Sequence, residues 1–512
     1  MTAPATSSRS PGARPLLVTA LRSEYAALAG RVPGARLARC GMGAENVRRW
    51  LDRHGAERPP AVAVVGVAGG LDPGLRPGDV VVASEVRGPH GRTVLRGGAP
   101  LVAALRALGL RVRSGPVLTQ ETLVGGADDR ERLAGSGALA VDMESADLAR
   151  AFARKNIPVA VVRVIVDTVS APLLHPATLT NGVKGLHVLR RLAPALSEWA
   201  ALAGPRTVVL AAPRSFCAGV ERAIDIVELA LQRYPHPVYV RRQIVHNAHV
   251  VRDLERQGAV FVDELDEVPD DTTVVFSAHG VAPAVRQEAA QRGLNVIDAT
   301  CPLVAKVHTE ARRFAGRGDS VLLIGHDGHD ETEGTLGEVP GRITLVQSPA
   351  DAERVQVADP SKVAFLMQTT LAMDDAADTV AVLRRRFPLI ESSATDDICY
   401  ATTNRQEAVK AIAGETDLIL VLGSRNSSNS LRLVEVAQRS GVEAHLVDDA
   451  TDIVPSWLAG RRRIGITAGA SAPPHLVDEV LGMLQALGPV EVSERVHTTE
   501  RIEFTLPKGV TK

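Results

Sequence analysis

The chain is 512 residues long, more than one hydrophobic core usually supports, and 45% of its residues are hydrophobic, so we expect roughly two to four domains. A formal net charge of −1 excludes the strongly basic surface of a nucleic-acid-binding protein. Four cysteines in so long a chain exclude a disulfide framework and are typical of a reducing compartment, which predicts a cytoplasmic protein.

The N-terminal part of the chain alternates strand-like and helix-like patterns after a polar, proline-rich stretch that predicts a disordered tail (1–15). The strand-like apolar runs lie at 16–21, 61–70, 79–86 and 159–167. The amphipathic helical patterns lie at 47–55 and 144–154. A long helix predicted at 186–203 ends at Gly204 and Pro205, which are stop signals. These patterns predict an α/β domain over 16–203. No apolar run approaches the ~20 residues that a membrane span requires.

From residue 206 onward, strand and helix signals predict successive α/β modules of comparable length. The modules are expected at 206–305, 306–402 and 403–500, followed by a C-terminal tail (501–512). Polar motifs follow the ends of the predicted strands. Because ligands of open α/β sheets lie outside the carboxyl ends of strands, we expect these motifs to meet in a central crevice.

Three of the four cysteines, Cys217, Cys301 and Cys399, each precede a predicted helix. A helix dipole favours a thiolate at that position, and metals bind thiolates, so the pattern predicts one shared metal site with a coordination position left open. The cysteines are too far apart in sequence for a zinc-ribbon pair. Burial as small apolar side chains is the alternative, and it is our interpretation of Cys40.

Three histidines, His246, His279 and His329, follow strand ends. As a group they predict an anion site, because an imidazolium donates from both nitrogens and titrates near neutral pH. The alternatives are ordinary structural histidines and, for His326 with His329, a zinc-binding pair.

Two loops between a strand and a helix are rich in hydroxyl and amide side chains, a composition typical of oxyanion sites. The candidate ligands in these loops are Ser427, Ser428, Asn429 and Ser471. The alternative is helix capping by Ser and Asn. Together with the histidines, the two loops favour a diphosphate.

Glu331 follows the histidine loop, and Thr369 and Thr370 add two hydroxyls. A carboxyl in a closed, anion-filled pocket tends to keep its proton, so Glu331 is a candidate general acid. A capping box is the alternative.

Residues 206 to about 500 resemble the 4-hydroxy-3-methylbut-2-enyl diphosphate reductase family, which catalyses the last step of the methylerythritol phosphate route to isoprenoids. The resemblance rests on motifs in the expected order: PRSFCAGVERAI, IVHN, SAHGV, DATCPLV, IGHDGHDETEGT, QTTLAMDD, ICYATTNRQ and NSSNS. It implies three pseudo-equivalent α/β modules around a central, oxygen-sensitive 4Fe-4S cluster, with Cys217, Cys301 and Cys399 as its ligands.

The same resemblance implies the substrate contacts. The side chains that would hold the diphosphate are His246, His279, His329, Ser427, Ser428, Asn429 and Ser471. Thr369 would position the substrate hydroxyl, and Glu331 would deliver protons. The implied reaction removes an allylic hydroxyl with two electrons and two protons and gives isopentenyl and dimethylallyl diphosphate. No dinucleotide fingerprint occurs in this half, so the electrons are expected from a ferredoxin or flavodoxin.

Residues 16 to about 200 are similar to the purine nucleoside phosphorylase and methylthioadenosine nucleosidase family. The similarity lies in TALRSEYAAL, CGMGAEN, VVGVAGGLDPGLRPGDVVVAS, VDMESADLA and VVRVIVDTV. It implies that Met143 and Glu144 hold a ribose and that Asp167 protonates a purine leaving group. Glu24 matches an acid of the nucleosidase branch.

Gly43 and Gly69 of these motifs permit a ligand to approach the backbone closely. Val67 departs from the family, because nucleosidases often carry a hydroxyl residue at this position. The domain also resembles the hopanoid-associated phosphorylase, which implies release of adenine from an adenosylated hopanoid. The alternative is a domain that has lost catalysis and forms a homo-oligomer.

Two other classes of protein are alternative interpretations of the C-terminal half. One is a non-catalytic iron–sulfur sensor that a partner protein reads, and another is a mononuclear zinc-thiolate hydrolase. The sensor has no need of serine-rich anion loops beside an acid, so these loops favour the enzyme.

Overall fold

The computed structural model describes residues 14–95, 97–124, 127–169, 178–371, 373–393 and 397–511. The predicted disordered tail, 1–15, falls mostly outside these residues. The chain divides into two compact units. The first runs to Thr207 and includes Val454–Arg462 and Leu481–Glu491, and the second comprises Val208–Ile453, Arg463–Val480 and the residues from Val492 onward.

Within the described residues, the first unit forms an eight-stranded sheet with helices on both faces. Its strands are β1 (Leu16–Thr19), β2 (Arg36–Arg39), β3 (Val62–Gly70), β4 (Val80–Gly88), β5 (Gly91–Val94), β6 (Val112–Thr119), β7 (Ala140–Asp142) and β8 (Val159–Asp167). Its helices are α1 (Arg22–Leu28), α2 (Ala44–His54), α3 (Ala99–Ala107), α4 (Ala127–Ala134), α5 (Ser145–Ala153), α6 (Thr178–Arg191) and α7 (Ala193–Leu202). The α/β class and the strands predicted from apolar runs are confirmed.

Strands β3, β7, β6, β4 and β8 close into a ring through successive pairings. Because both faces of β3 and β8 are covered, nearly every residue of these strands is buried, and their sequences are continuous apolar runs. The pairing of β3 with β8 shifts register between Ala68 and Gly69, which places Gly69 opposite Asp167. A shift of this kind redirects side chains at the end of a strand.

The single long helix predicted at 186–203 is wrong, because the structure has two helices there. Helix α6 ends at Arg191, and α7 begins at Ala193 with a proline in its first turn. Pro194 has no backbone N–H to donate to the preceding turn, so it is tolerated only where a new helix begins.

The second unit contains three further sheets. Its strands are β9 (Arg206–Ala212), β10 (Val238–Arg241), β11 (Ala259–Val262), β12 (Thr273–Phe276), β13 (Asn295–Asp298), β14 (Ser320–Ile324), β15 (Ile343–Val346), β16 (Val363–Met367), β17 (Glu391–Ser392), β18 (Leu418–Leu422), β19 (Ala444–Val447), β20 (Arg463–Ala468) and β21 (Val490–Val496). Its helices are α8 (Ala218–Arg233), α9 (Ala248–Gln257), α10 (Pro283–Gln291), α11 (Pro302–Gly316), α12 (Asp330–Glu338), α13 (Pro349–Arg354), α14 (Met373–Arg386), α15 (Tyr400–Ala413), α16 (Ser428–Arg439) and α18 (His475–Gln485), the last of which begins in this unit. The short helix α17 (Pro455–Leu458) belongs to the first unit. Short 3-10 turns occur at Leu265–Glu267 and Ala450–Asp452.

The three sheets share one strand order. They run β11-β10-β12-β13, β15-β14-β16-β17 and β19-β18-β20-β9, with β21 added beyond β9 in the last. The predicted first module, 206–305, is therefore wrong at its start, because β9 belongs to the third sheet. A local apolar pattern identifies a strand but does not reveal its distant pairing partner.

The predicted C-terminal tail, 501–512, packs on α8 as far as it is described. Thr505 accepts a hydrogen bond from Nε of Arg222 at 2.8 Å, and Gly509 accepts one from the hydroxyl of Tyr234 at 2.7 Å. Val510 is buried in the apolar cluster beneath α8. These contacts attach the end of the chain to the first of the three sheets. Across the described ranges, no helix is both long enough and apolar enough to span a bilayer.

Candidate active site

The three cysteines predicted to share a metal site line one cavity of the second unit. Cys217, Cys301 and Cys399 are the N-cap residues of α8, α11 and α15. Each follows the fourth strand of its sheet, which is β9, β13 or β17. The positive ends of three helix dipoles therefore meet at this cavity, where they favour thiolates.

The helix that Cys217 caps carries a glycine beside two of the sulfurs. A Cβ on Gly219 would lie 2.8 Å from Sγ of Cys301 and 3.8 Å from Sγ of Cys217, so this glycine keeps the space between two sulfurs open. Thiolates are the usual ligands of iron–sulfur clusters, so the three cysteines fit such a group.

The thiols themselves are electrostatically unusual. Burial raises the pKa of Cys301 to about 11 and the pKa of Cys399 to about 12, and neighbouring thiols add to both shifts. A cation bound among the sulfurs would reverse these shifts, because it stabilises the thiolate form. Burial also raises the pKa of Cys40 to about 12, and its apolar surroundings confirm the interpretation of this residue as a small buried side chain.

The three predicted histidines also line this cavity. His246 and His279 stack with ring centroids 4.0 Å apart, and His329 meets them edge-on at 5.2 and 5.8 Å. Burial lowers the pKa of all three, to about 4 for His329, and the proximity of His246 adds to the shift of the other two. An anion among the rings would favour the imidazolium form, which donates from both nitrogens.

Asp330 and Arg242, which the sequence did not single out, border the histidines. Oδ2 of Asp330 lies 3.8 Å from Nε2 of His246 and 3.7 Å from Nδ1 of His279, a spacing that also permits a cation. Arg242 forms an ion pair with Asp330 and a second with Glu333 at 2.7 Å. These contacts join segments that are far apart in sequence, so no local sequence motif predicts them.

The zinc-pair alternative for His326 and His329 is disfavoured. Nε2 of His326 lies 2.6 Å from Nη2 of Arg432, whereas Nδ1 of His329 accepts the backbone N–H of Glu331 at 3.2 Å. The two imidazoles therefore serve different partners, and His329 acts as the N-cap of α12.

The serine-rich loop after β18 combines capping with a place in the cavity. Ser427 is the N-cap of α16 and accepts the backbone N–H of Ser430, so the capping alternative is confirmed for this residue. The Ser427 hydroxyl also lies 3.4 Å from the hydroxyl of Ser471, which donates to the carbonyl of His246 at 3.0 Å. The two predicted loops thus meet beside the histidines.

Asn429 and Ser428 complete this side of the cavity. Oδ1 of Asn429 accepts the N–H of Ala470 at 3.1 Å, and its Nδ2 donates to the hydroxyl of Thr402 at 3.2 Å. The hydroxyl of Ser428 lies 3.2 Å from that of Thr370. The amide is thereby fixed in orientation, with the serine hydroxyls around it.

Glu331 and Thr369 form a buried pair that lines the same cavity. The backbone N–H of Thr369 donates to Oε1 of Glu331 at 2.7 Å, and its hydroxyl donates to Oε2 at 2.9 Å. Burial raises the pKa of Glu331 to about 7, although both hydrogen bonds act in the other direction. The carboxyl therefore contacts the neighbouring strand end and holds a proton near neutral pH, as a general acid requires.

A second cavity lies in the first unit and contains the predicted acid Glu24. Its Oε2 accepts the N–H groups of Ala20 and Leu21 at 2.9 and 2.8 Å, and its Oε1 accepts the N–H of Val67 at 2.8 Å. The residue caps α1 and lines the cavity at the same time. The sequence did not predict this capping role.

Glu144 and Met143 line the same cavity. Oε1 of Glu144 accepts the N–H of Gly43 at 2.9 Å, and its Oε2 lies 3.5 Å from the buried guanidinium of Arg163. Arg163 also pairs with Asp142 at 2.7 Å. Burial raises the pKa of Glu144 to about 7, and Asp142 contributes to the shift.

Asp167 also lines this cavity, and its carboxylate is paired with a cation. Its carboxylate forms an ion pair with Arg130, whose guanidinium lies against Gly69 and also donates to the carbonyl of Val124 at 3.1 Å. Among the described residues, Nε and Nη1 of Arg130 have no hydrogen-bond partner. The predicted acid, Asp167, is thus paired with Arg130, a residue that the sequence analysis did not single out.

Known protein families match the chain in two separate regions. The model of the LytB protein family matches residues 208–485, and that of the phosphorylase superfamily matches residues 22–193. A 4-hydroxy-3-methylbut-2-enyl diphosphate reductase of Mycobacterium bovis is 57% identical over 60% of this chain and 94% of its own length. The reductase of an Azoarcus species is 57% identical over 59% of this chain and 96% of its own.

A solved structure agrees with these relatives. The E-1-hydroxy-2-methyl-but-2-enyl-4-diphosphate reductase of Plasmodium falciparum superposes with a TM-score of 0.58 at 36% identity and covers 60% of this chain and 97% of its own. The α/β modules of the second unit thus have a close structural counterpart. With more than half of its length matched by the family model, the chain belongs to the LytB family and carries a phosphorylase-like domain ahead of the LytB region.

Proposed function

We propose that the LytB region reduces (E)-4-hydroxy-3-methylbut-2-enyl diphosphate to isopentenyl and dimethylallyl diphosphate. The observation that carries the proposal is one cavity that holds three N-cap cysteines, three histidines in ring contact, two serine-rich loops and a buried carboxyl whose pKa is raised to about 7. Relatives that match almost their whole length to this chain bear the name of this reductase.

The donor set fits a 4Fe-4S cluster with Cys217, Cys301 and Cys399 as its ligands. Such a cluster would supply electrons and a Lewis-acidic iron toward the substrate hydroxyl. Gly219 keeps the space between two of the sulfurs clear, and all three cysteines are partly exposed on the wall of the cavity. The electrons would come from a ferredoxin or flavodoxin.

The diphosphate would lie among His246, His279 and His329 on one side and the serine-rich loops on the other. The candidate ligands of these loops are Ser427, Ser428, Asn429 and Ser471. Rings that are neutral through burial would gain protons as the anion enters, which strengthens their hydrogen bonds to it. The N-terminus of α16 adds backbone N–H groups and a positive dipole end.

Glu331 and Thr369 are the catalytic pair in this proposal. Thr369 orients the substrate hydroxyl, and Glu331 donates a proton to the oxygen as the C–O bond breaks, so that it leaves as water. Two electrons and two protons balance the exchange of this hydroxyl for hydrogen. The two hydrogen bonds from Thr369 hold the carboxyl in place.

The substitution Glu331→Gln tests this assignment, with Glu338→Gln as the matched control. Glu338 is a buried carboxyl on the same helix, but it pairs with His308 and Arg312. Assayed without oxygen, Glu331→Gln should lose about 10²- to 10⁴-fold in turnover while its iron content stays at the wild-type level. Wild-type turnover in Glu331→Gln would refute the role of this residue as the acid.

If the protein were instead an iron–sulfur sensor, the same assay would give a different result. A protein that only reports cluster status would bind iron and yet convert none of the diphosphate substrate. The serine-rich loops and the Glu331–Thr369 pair have no role in such a protein.

For the first unit we propose cleavage of a purine nucleoside. Support comes from the phosphorylase superfamily match and from a cavity that both Glu144 and Asp167 line. Glu144 would hold the ribose hydroxyls, and Asp167 would protonate the base. Because Arg130 pairs with Asp167, this cation has to move aside before the carboxyl can reach a ligand.

Incubation of the full chain with phosphate and adenine nucleosides tests this activity. Free base should appear with wild-type protein and be reduced at least about 100-fold in both Glu144→Gln and Asp167→Asn. A lack of base release from any nucleoside would favour the alternative, a non-catalytic domain that forms oligomers.

A further inference from the structure

Arg405 is a buried arginine in the second turn of α15, the helix that Cys399 caps. Its side chain is 1% exposed. A buried guanidinium has five N–H groups to satisfy, and an unpaired buried charge is far more costly than an unpaired neutral group. The partners of Arg405 therefore show which segments this residue holds.

One edge of the guanidinium binds the loop that carries Cys217. Nη2 donates to the carbonyls of Ser215 at 2.7 Å and Phe216 at 3.1 Å, and Nε donates to Ser215 at 3.2 Å. These are the two carbonyls immediately before Cys217. The other edge binds the first turn of α15, because Nη1 donates to Ala401 at 2.9 Å.

Glu500 neutralises the buried cation. Both carboxylate oxygens accept from Nη1 of Arg405, at 3.1 and 3.3 Å, and Oε1 also accepts from Nδ2 of Asn404 at 3.0 Å. A buried ion pair with its hydrogen bonds satisfied is geometrically rigid, and it loses much stability if one partner is removed.

The loop that Arg405 holds is conformationally strained. Ser215 has a φ of 61°, a left-handed conformation that residues other than glycine rarely adopt. Backbone bonds from Ser215 to Ala468 at 3.2 Å and from Cys217 to Ala470 at 3.3 Å attach one side of the loop. Arg405 attaches the other side, so the loop is fixed between β20 and α15.

We propose that Arg405 is a positioning residue that sets the distance between Cys217 and Cys399 and so organises the cluster site before a cluster is inserted. The guanidinium spans the two cysteine-bearing segments with four of its hydrogen bonds to main-chain carbonyls. Lysine cannot reproduce this planar fork, so even a change that keeps the charge would loosen the spacing. This inference rests on the proposed function only in taking the inorganic group to be an iron–sulfur cluster.

Cadmium binding to the cluster-free full chain measures the spacing without reference to activity. Cd²⁺ binds thiolates, and its affinity is read from the thiolate-to-cadmium absorbance. The variants are Arg405→Lys and Arg405→Gln. The matched control is Arg241→Lys, which removes another buried guanidinium in the same unit whose partner is Glu264.

We expect both Arg405 variants to bind Cd²⁺ about tenfold more weakly, because charge-assisted hydrogen bonds to the Cys217 loop are lost. After anaerobic reconstitution they should also hold less iron and show an altered electron paramagnetic resonance spectrum. Arg241→Lys should match wild type in both readouts, even where its Tm falls as far. Should an Arg405 variant fail to fold, Glu500→Gln keeps the guanidinium, weakens its anchor and should show a smaller loss in the same direction.

Wild-type Cd²⁺ affinity together with an unchanged spectrum in the Arg405 variants would overturn the proposal. If the wild-type chain bound Cd²⁺ tightly but accepted no iron, the proposed reductase function would fail, while the cadmium comparison would still decide the role of Arg405. The two failures are thus distinguishable.

Discussion

Among single residues, Glu331 offers a direct electrostatic test. Burial raises the pKa of its carboxyl to about 7, above the value of 4.5 for an exposed glutamate. The folded protein therefore keeps a proton that the unfolded chain releases between these values, and the contribution of Glu331 to stability falls as the pH rises through that window. Its proton is available for donation below about pH 7.

The pH dependence of kcat/KM should reflect the titration of the Glu331 carboxyl. We expect activity to fall as the pH rises through about 7, and we expect Glu331→Gln to lack this alkaline limb on its residual activity. A wild-type alkaline limb that persisted unchanged in Glu331→Gln would assign the titration to another group.

The predicted site residues were recognisable one by one, but their partners were not. Glu331, Thr369 and the cysteines stand in polar motifs after apolar strands, and that signal is local. The cation on Asp167 comes from Arg130, 37 residues away in the sequence, and nothing in its own segment marks it. The sequence around Arg405 does not mark this residue either, because its partners are backbone carbonyls, which any residue could supply.

At the scale of elements, each sheet of the second unit contributes equivalent strand ends to one cavity. The second and third strands of each sheet supply the binding side chains, since His246, His329 and Ser427 follow β10, β14 and β18, and His279, Thr369 and Ser471 follow β12, β16 and β20. The fourth strands precede the three cysteines. Carboxyl ends of parallel strands are the usual ligand positions of such sheets, so the predicted central crevice has a physical basis.

Gly219, in the first turn of α8, permits the close approach of two of these elements. A Cβ there would lie 2.8 Å from Sγ of Cys301, closer than van der Waals contact allows, so α8 or α11 would have to shift. We expect Gly219→Ala to lower the iron content of reconstituted protein severalfold while the far-ultraviolet circular dichroism spectrum stays unchanged.

Gly316→Ala is the matched control for this change. Gly316 ends α11, and a Cβ there would meet no atom within 4 Å. This substitution should keep full iron content and leave stability unchanged or slightly higher, since alanine favours helices by about 1 kcal/mol over glycine. Equal iron contents in the two variants would contradict the role given to Gly219.

Across the whole molecule, the α/β class and the motif positions were predictable, but the assignment of strands to sheets was not. The break between α6 and α7 depends on one proline inside an otherwise continuous helical pattern. The place of β9 depends on pairing with β20, more than two hundred residues later. With β9 in the third sheet, all three cysteines occupy the same topological position, a regularity that the predicted module boundaries concealed.

The domain limits predicted at 16–203 and 206–500 remain predictions in their detail. The first compact unit includes Val454–Arg462 and Leu481–Glu491, which lie far from its other residues in sequence. A prediction made from the sequence places these two segments in the C-terminal domain, because their neighbours in sequence belong there.

Metal and sulfide analysis of the full chain, purified without oxygen, tests the central claim most directly. Three converging thiolates around a cubane cluster predict about four iron atoms and about four acid-labile sulfides per chain, and loss of both in a Cys301→Ser variant. Colourless protein without iron, or protein with one zinc per chain and no sulfide, would contradict the account.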